Sequence, residues 1–369
     1  MSKKAFEQIK LASGVVRSGF LNTPAGRVKT PFFMPVATRG AVKAVAPGQV
    51  ADSGAQVLLS NTYHLHLQPG KAVVKKLGGL HVFTGWNGPI LTDSGGFQIF
   101  SLANIRKITD DGVIFKDPKS GKEVLITPEK SMQIQMALGS DIIMAFDDLT
   151  GLSLHDRHRS KEALQHTHRW LTRCIVEFNK QTKNISKGRT PKKGTTLQRP
   201  LLFGIMQGGL NKKLRAQSLE FVQSQPVDGI AIGGLTVGET RREMRTMLDF
   251  LLLRYDPARI RYLMGVGEPV DMRHAIKRGI DMFDCVLPTR NGRHGSVWVN
   301  DDKKLNLNNL KFAKDPGPID KKCDCHTCKT RYSRAFLRHL FRSQDPLAGS
   351  LASIHNLRYL HRLCEEYQK

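Results

Sequence analysis

One carboxylate, Asp284, stands in an otherwise apolar run at residues 282–287. Pro288 follows that run, and two arginines, Arg290 and Arg293, come soon after it. Since proline cannot donate to a strand ladder, we expect a strand that ends at about residue 287 and a basic loop beyond it. Burying an ionisable group is costly unless the group has a partner or a task. Asp284 therefore either holds the arginine loop in place or takes part in chemistry.

Two more carboxylates and one amide follow other short apolar runs, and they are Asp93, Asp147 and Gln207. Three carboxylates without a matching set of metal ligands favour acid–base and nucleophilic chemistry at a sugar carbon. One carboxylate can attack an anomeric centre while a second carboxyl group protonates the departing base or activates the incoming one.

A metal-dependent hydrolase is the rival interpretation, because His64 and His66 form a His-x-His pair after an apolar run. That class needs further histidines after two later runs. Those positions hold Gln207 and the pair Gly233-Gly234, so we discount the rival. His64 then remains either a supporting group or a core histidine.

Three of the six cysteines are clustered as Cys323-x-Cys325-x₂-Cys328, a spacing typical of a metal site rather than of a disulfide framework. Three thiolates can surround one zinc ion, and a closed structural site needs a fourth ligand. The spacing leaves that ligand open, and the candidates are His326, His339, His355 and His361.

The apolar runs that lead to these polar groups recur along the chain, with helical patterning between most of them. The runs lie at residues 32–37, 56–62, 89–93, 141–146, 201–206, 229–232, 261–265 and 282–287, and helical stretches at 128–138, 161–178, 212–222 and 241–253. Alternation of strand and helix implies a parallel sheet, and eight repeats predict a closed (β/α)8 barrel. The C-terminal ends of such strands form the active-site face, which is where the carboxylates fall.

Inserted β-hairpins are predicted at residues 15–28, 112–127 and 295–309. We expect two parts, a barrel with its N-terminal hairpin at 1–294 and a unit at 295–369 with a hairpin, a zinc-binding subdomain and a C-terminal helix. The segment 180–199 holds seven Lys or Arg and no acidic residue. We expect it to be a loop, either a solvated charge run or an arm that contacts RNA.

Lysine and arginine number 57 against 32 acidic residues, which gives a formal net charge of +25. This excess predicts a polyanionic partner, and we favour RNA or DNA over a membrane surface. No apolar stretch reaches the roughly 18 residues that a membrane span needs. The first residues lack the apolar core of a signal peptide, so we expect a cytoplasmic protein.

The chain resembles the bacterial tRNA-guanine transglycosylases (queuine tRNA-ribosyltransferases) along nearly its whole length. The motifs that carry the resemblance are Pro35-Val36-Ala37-Thr38, Asn61-Thr62-Tyr63-His64-Leu65, Thr92-Asp93-Ser94-Gly95-Gly96-Phe97-Gln98, Gly139-Ser140-Asp141, Gln207-Gly208, Gly233-Gly234-Leu235-Thr236-Val237-Gly238-Glu239, Met264-Gly265-Val266-Gly267, residues 283–290, and the cysteine cluster with His355-Asn356.

The resemblance implies a zinc-bearing (β/α)8 barrel that exchanges guanine at wobble position 34 of GUN-anticodon tRNAs for a 7-deazaguanine, in queuosine biosynthesis. By motif match Asp284 is the expected nucleophile, which forms a covalent intermediate with the ribose, and Asp93 the general acid/base. The remaining implied residues are Asp147, Gln207, Gly234, Leu235, Phe97 and Met264 for the base, Thr289, Arg290 and Arg293 for RNA, and Cys323, Cys325, Cys328 and His355 for one structural Zn²⁺. The implied partners are tRNA, guanine, the incoming base and a second copy of the chain in a homodimer, with no membrane.

The residues after Asp147 depart from the family pattern, because the chain reads Asp148-Leu149-Thr150-Gly151-Leu152 where bacterial members usually carry an acidic residue, a small or sulfur residue and a proline-rich turn. Val237 favours preQ1 as the incoming base, since relatives that take the bulkier queuine tend to have a smaller residue there. Direct queuine insertion and a non-catalytic tRNA-binding subunit are the alternatives. Retention of both Asp93 and Asp284 favours the enzyme, and no recognition-helix motif supports a DNA-binding protein.

Overall fold

The computed structural model describes residues 5–9, 16–96, 106–117, 121–149, 155–183, 185 and 199–368. Its strands are β1 (Phe6–Ile9), β2 (Ser18–Thr23), β3 (Gly26–Thr30), β4 (Phe32–Ala37), β5 (Leu58–Ser60), β6 (Ile90–Thr92), β7 (Arg106–Thr109), β8 (Gly112–Lys116), β9 (Glu123–Ile126), β10 (Ile142–Met144), β11 (Leu201–Met206), β12 (Gly229–Ile232), β13 (Ile260–Leu263), β14 (Met282–Cys285), β15 (Ser296–Val299) and β16 (Lys303–Asn306). Its α-helices are α1 (Pro47–Asp52), α2 (Thr62–Leu67), α3 (Lys71–Lys76), α4 (Leu80–Thr84), α5 (Pro128–Leu138), α6 (Arg157–Thr182), α7 (Lys212–Ser224), α8 (Arg241–Leu252), α9 (Pro269–Ile276), α10 (Leu287–Arg293), α11 (His326–Lys329), α12 (Arg334–Arg342) and α13 (Pro346–Glu365).

Eight parallel strands close into a barrel in the order β4-β5-β6-β10-β11-β12-β13-β14, and β14 pairs with β4 to complete it. Each of the eight apolar runs overlaps one of these strands, so the predicted (β/α)8 barrel is confirmed. The helical stretches are confirmed too, although α6 extends beyond its predicted bounds at both ends.

Side chains that alternate along the strands divide the core into two layers. Phe32 and Met34 on β4 belong to the cluster that fills the barrel, whereas Phe33, between them, packs in the cluster under the helices. Phe6 and Leu21 from the N-terminal sheet join the inner cluster. The antiparallel sheet β1-β2-β3 therefore packs against the residues that fill the barrel.

The predicted hairpins are present, and two of them carry an additional strand. β1 pairs with β2 in the N-terminal sheet, and β7 pairs with β8 in the inserted sheet β7-β8-β9. The turn predicted between β8 and β9 lies mostly outside the described residues, because residues 118–120 are not among them. The third hairpin is β15-β16.

The prediction of a basic loop after Asp284 is wrong, since that segment forms the short helix α10. Strand β14 ends at Cys285, and Pro288 occupies the first turn of α10, where a missing N–H costs nothing. Gly292 allows α10 to pack closely against α13. A Cβ atom at this position would lie only 2.6 Å from the Ser353 nitrogen, which is too close for any larger residue.

Of the basic segment 180–199, residues 184 and 186–198 lie outside the described part of the chain. Its C-terminal end is described at Arg199, whose guanidinium pairs with Asp228 at 2.7 Å. Within the described ranges, none of the helices combines the length and apolar character needed to cross a bilayer.

Candidate active site

The C-terminal rim of the barrel brings together nearly all of the residues proposed for chemistry and base binding. Asp93 follows β6, Asp147 follows β10, Gln207 follows β11, Gly234 and Leu235 follow β12, Met264 follows β13, and Asp284 lies at the end of β14. Phe97, the remaining residue proposed for the base, lies outside the described residues. The placement agrees with the rule that these barrels carry their active sites at this face.

Asp284 is half-buried and is held through one of its two carboxylate oxygens. The Tyr262 hydroxyl donates to Oδ1 at 2.6 Å, and the Gly265 N–H donates to the same atom at 2.9 Å. Oδ2 makes no hydrogen bond to any described residue. Burial raises the pKa of Asp284, and the two hydrogen bonds oppose part of that rise. One oxygen is therefore fixed, and the other remains available to a reactant.

Asp93 is 7% exposed and accepts hydrogen bonds at both oxygens. The backbone N–H groups of Thr62 and Gly95 donate to Oδ1 at 2.9 and 3.2 Å, and Asn61 Nδ2 donates to Oδ2. Burial raises the pKa of Asp93 to about 7 despite these donors, and the negative charge of Asp284 adds to the rise. A carboxyl group that titrates near neutral pH is suited to donating and accepting protons in turn.

Asp147 and Gln207 form a hydrogen-bonded pair between the ends of β10 and β11. Gln207 Nε2 donates to Asp147 Oδ2 at 2.8 Å, and the Ser94 hydroxyl donates to Oδ1 at 2.7 Å. Burial raises the pKa of Asp147 to about 6, and the charge of Asp148 contributes to the rise. Gln207 Oε1 is buried and has no partner within the described residues, so it remains a free acceptor at the site.

The loop after β12 is ordered by Glu239, whose carboxylate accepts the N–H groups of Thr236 and Val237. The Leu235 carbonyl shares a planar trans peptide with the Thr236 N–H, so it points away from Glu239. Met264, one strand further on, is partly buried against the inner cluster. The loop therefore combines a carbonyl that accepts no hydrogen bond from a described residue with an apolar neighbour.

Asp148, next to the base-binding candidate Asp147, has ionic partners that the sequence did not reveal. Arg159 pairs with both of its oxygens, and His166 Nδ1 lies 2.8 Å from Oδ2. Burial alone would raise the pKa of Asp148, but the hydrogen bonds from His166 and Arg159 outweigh it and keep the carboxylate ionised. The departure at this point of the chain is thus anchored to α6.

The His-x-His pair of the rival hydrolase lies on helix α2 rather than at a strand end. Residues two apart on a helix do not face each other, so the side chains of His64 and His66 point in different directions. They are therefore not placed to bind the same ion. Burial lowers the pKa of both imidazoles. In the described residues, a convergent set of metal ligands occurs at the C-terminal cysteine cluster and not here.

At that cluster the ligand atoms of Cys323, Cys325, Cys328 and His355 lie within 4.8 Å of one another, and all four residues are buried. His355 Nδ1 is 3.7 Å from Cys325 Sγ and 3.4 Å from Cys328 Sγ, close to the roughly 3.5–3.8 Å expected between ligands around tetrahedral zinc. Nε2 lies 2.7 Å from the Trp298 carbonyl, a bond that leaves the Nδ1 lone pair free for a metal. The four residues therefore could bind a metal ion.

A family model for queuine tRNA-ribosyltransferase matches residues 13–369. The chain belongs to this family. A queuine tRNA-ribosyltransferase from Herpetosiphon aurantiacus is 47% identical over 358 residues, which cover 96% of this chain and 86% of that protein. Relatives of the same name from Thioalkalivibrio sulfidiphilus and Psychrobacter cryohalolentis are each 46% identical, covering 96% of this chain and 90% of theirs. The resemblance drawn from the motifs is thus confirmed.

In this member of the queuine tRNA-ribosyltransferase family, two cationic side chains follow Asp284 on α10. Arg290 is exposed and Arg293 is half-buried, and neither makes an ion pair within the described residues. Burial lowers the pKa of Arg293, and the positive charge of Arg290 adds to the effect. Thr289 is buried and its hydroxyl donates to the Val286 carbonyl at 3.2 Å. The arginines are therefore available to an anion, whereas the Thr289 side chain is occupied.

Sequence reasoning missed several residues that hold the site in place, among them Tyr262, Asn61 and Ser94. Tyr262 lies on the apolar strand β13, so nothing in its local sequence indicates the hydrogen bond that it makes to Asp284 on β14. Asn61 and Ser94 lay inside quoted motifs, but their hydrogen bonds to Asp93 and Asp147 depend on neighbouring strands.

Proposed function

We propose that the chain exchanges guanine at position 34 of GUN-anticodon tRNAs for preQ1 through a covalent bond between Asp284 and the ribose. The observation that carries the proposal is the contrast between the two carboxyl groups, Asp284 with one unengaged oxygen and Asp93 with a pKa of about 7. Membership of the family supports the choice of tRNA and base as substrates.

In the first half of the reaction, Oδ2 of Asp284 attacks C1′ of the ribose and the bond from C1′ to guanine N9 breaks. The bonding electrons leave with guanine, which takes a proton from the neutral Asp93 carboxyl group. Tyr262 and the Gly265 N–H hold Oδ1, so Oδ2 is oriented without any rearrangement of the carboxylate. The products are free guanine and a ribosyl ester of Asp284.

In the second half, N9 of the incoming base attacks C1′ while its proton passes to the Asp93 carboxylate. The ester bond breaks and Asp284 regains its charge. Because the pKa of Asp93 is raised to about 7, both its protonated and its ionised form are accessible near neutral pH. One base replaces another, so the reaction balances without a nucleotide cofactor.

The base would lie among the loops that follow β10 to β13. Asp147 and Gln207 supply an acceptor and amide groups for a purine edge, and Gly234 with the Leu235 carbonyl supplies backbone groups. Met264 and Phe97 would cover the two faces of a base turned out of the anticodon loop. Val237, half-buried on the same loop, supports the smaller preQ1 over queuine.

Arg290 and Arg293 would bind phosphates of the anticodon loop, and the net charge of +25 would attract the rest of the tRNA. The Cys₃His cluster would bind one Zn²⁺ in a closed, structural site. A homodimer in the cytoplasm, with one subunit catalysing exchange and the other orienting tRNA, completes the proposal.

Incorporation of labelled guanine into purified tRNAs, with preQ1 and queuine as competitors, tests the function. We expect guanine exchange into GUN-anticodon tRNAs that preQ1 suppresses and queuine does not. The Asp284→Ala protein should neither exchange guanine nor form a tRNA–protein adduct that survives denaturing electrophoresis. An adduct that maps to another residue contradicts the nucleophile, and competition by queuine alone contradicts the choice of base.

A further inference from the structure

Arg215, on helix α7, is fully buried directly beneath the loops that would bind the base. Removing a guanidinium from water is costly unless its donors are satisfied. Burial lowers the pKa of Arg215 to about 10, so the side chain stays charged at neutral pH. It makes no ion pair to a carboxylate within the described residues. Hydrogen bonds to uncharged groups must therefore stabilise this buried cation.

Its donors are directed at four backbone carbonyl groups at the end of β11 and in the loops after β11 and β12. Nε donates to Gly209 at 2.8 Å, Nη1 to Gly233 at 2.7 Å and to Met206 at 3.3 Å, and Nη2 to Gly234 at 3.0 Å. The planar fork of arginine reaches several acceptors at once, which the single ammonium of lysine cannot. Arg215 therefore ties the end of β11 to the end of β12.

These carbonyls determine where two N–H groups point. The Gly233 carbonyl shares its peptide plane with the Gly234 N–H, and the Gly234 carbonyl shares its plane with the Leu235 N–H. Because Arg215 holds both carbonyls, both N–H groups point away from it. Neither N–H makes a hydrogen bond to a described residue, although Gly234 and Leu235 are buried. Unpaired buried donors are rare in proteins and require an acceptor, which a bound ligand can supply.

The contact between the two loops is close. A Cβ on Gly234 would lie 2.4 Å from Gln207 Oε1, and Gly234 has the positive φ of +62° that favours glycine. Charge on Arg215 also polarises the two peptide units, which makes their N–H groups stronger donors. The same side chain thus sets both the direction and the strength of these donors.

We propose that Arg215 is a positioning residue that aims the Gly234 and Leu235 N–H groups at the 6-oxo oxygen of the purine-type base. The inference rests on the proposed function and adds the residue by which the site selects a 6-oxo base. A purine without that oxygen gains nothing from the two donors, so Arg215 determines the preference between such bases.

The test compares guanine with 2-aminopurine, which lacks the oxygen at C6, in the Arg215→Lys protein. We measure KM for labelled guanine, KM for tRNA and the inhibition constant of 2-aminopurine. Arg215→Lys should raise KM for guanine about tenfold, since several charge-assisted bonds are lost, and should leave the other two constants within about twofold. Arg261→Lys is the matched control. Arg261 is also buried, but its guanidinium donates to the Tyr255 carbonyl at the other end of the barrel strands, where β13 begins.

Equal changes for guanine and 2-aminopurine, or equal effects of the two substitutions, would reduce Arg215 to a structural residue and overturn the inference. A wild-type protein that does not incorporate guanine overturns the proposed function instead, and this inference with it. If Arg215→Lys fails to fold, amide exchange in the wild-type protein decides. Guanine should slow exchange at Gly234 and Leu235 and 2-aminopurine should not, and equal protection by both contradicts the inference.

Discussion

The Tyr262 hydroxyl donates a 2.6 Å hydrogen bond to Oδ1 of Asp284, and both residues lie on neighbouring strands of the barrel. Burial raises the pKa of Asp284, and this hydrogen bond opposes part of that rise. The other oxygen, Oδ2, has no hydrogen bond from a described residue, and it is the one that we propose reacts with the ribose. Tyr262 therefore governs both the charge and the orientation of the proposed nucleophile.

Replacement of Tyr262 by Phe keeps the buried ring and removes only the hydroxyl. The pKa of Asp284 should rise, because a donor that favours the ionised form is lost. Less of the carboxylate is then ionised at low pH, so kcat/KM for guanine exchange should fall roughly tenfold or more at pH 6 and by less at pH 8. A pH–rate profile measures this difference.

Tyr255→Phe supplies the control, since Tyr255 is equally buried but its hydroxyl donates to the Ile230 carbonyl. That variant should lose stability without moving the pH profile. If Tyr262→Phe lowers activity by the same factor at every pH, the hydroxyl affects orientation alone.

Asn61→Ser should move the titration of Asp93 to higher pH. Asn61 Nδ2 donates to Oδ2 of Asp93 and lowers its pKa, so loss of this donor raises a pKa that is already about 7. Serine still caps helix α2 at the position where Asn61 accepts the His64 N–H, so the helix should lose little stability. The apparent pKa near neutral pH in the pH–rate profile of guanine exchange should move to higher pH. A move to lower pH would contradict its assignment to Asp93.

The barrel could be predicted because each strand is a short apolar run that ends in polar or glycine residues. The rim residues Asp93, Asp147 and Asp284 could be predicted for the same reason, since parallel strands end at one face. Tyr262 and Arg215 could not. Tyr262 looks like core on an apolar strand, and Arg215 looks like a solvent-facing residue of an amphipathic helix. Their roles come from the register of β13 on β14 and from the approach of α7 to two loops.

Two other outcomes depended on tertiary packing. The cysteine spacing left four candidate histidines, and only the packing of α13 against β15 brings His355 to the cluster. Pro288 suggested a loop, yet α10 forms because Asn356 on α13 donates to the Pro288 carbonyl and Gly292 permits close approach. Neither contact has a local sequence signal.

His355→Ala should abolish zinc binding and destabilise the C-terminal segment, because metal-binding energy at such a site is folding energy. His361→Ala is the matched control, since His361 is buried on the same helix but contacts the Ser53 carbonyl at 2.8 Å. Metal analysis of the purified proteins should find zinc in the His361→Ala variant and little in the His355→Ala variant. Full zinc in both would move the fourth ligand to another residue.

Arg290→Ala should weaken tRNA binding in proportion to its share of the phosphate contacts. Arg290 is exposed on α10, a few residues after Asp284, and has no ion pair within the described residues. Loss of one phosphate contact should reduce the slope of log Kd against log salt by about one and weaken binding of all substrate tRNAs alike. Binding across a salt series measures the slope.

Arg254→Ala is the control for this effect, since Arg254 is also exposed but stacks on Phe250 after helix α8, which precedes β13 at the opposite end of the barrel. Its removal changes the net charge equally and should leave the slope unchanged. If both substitutions lower the slope alike, the tRNA responds to net charge rather than to α10. If neither does, Arg290 makes no phosphate contact, and the proposed path of the anticodon loop over α10 is wrong.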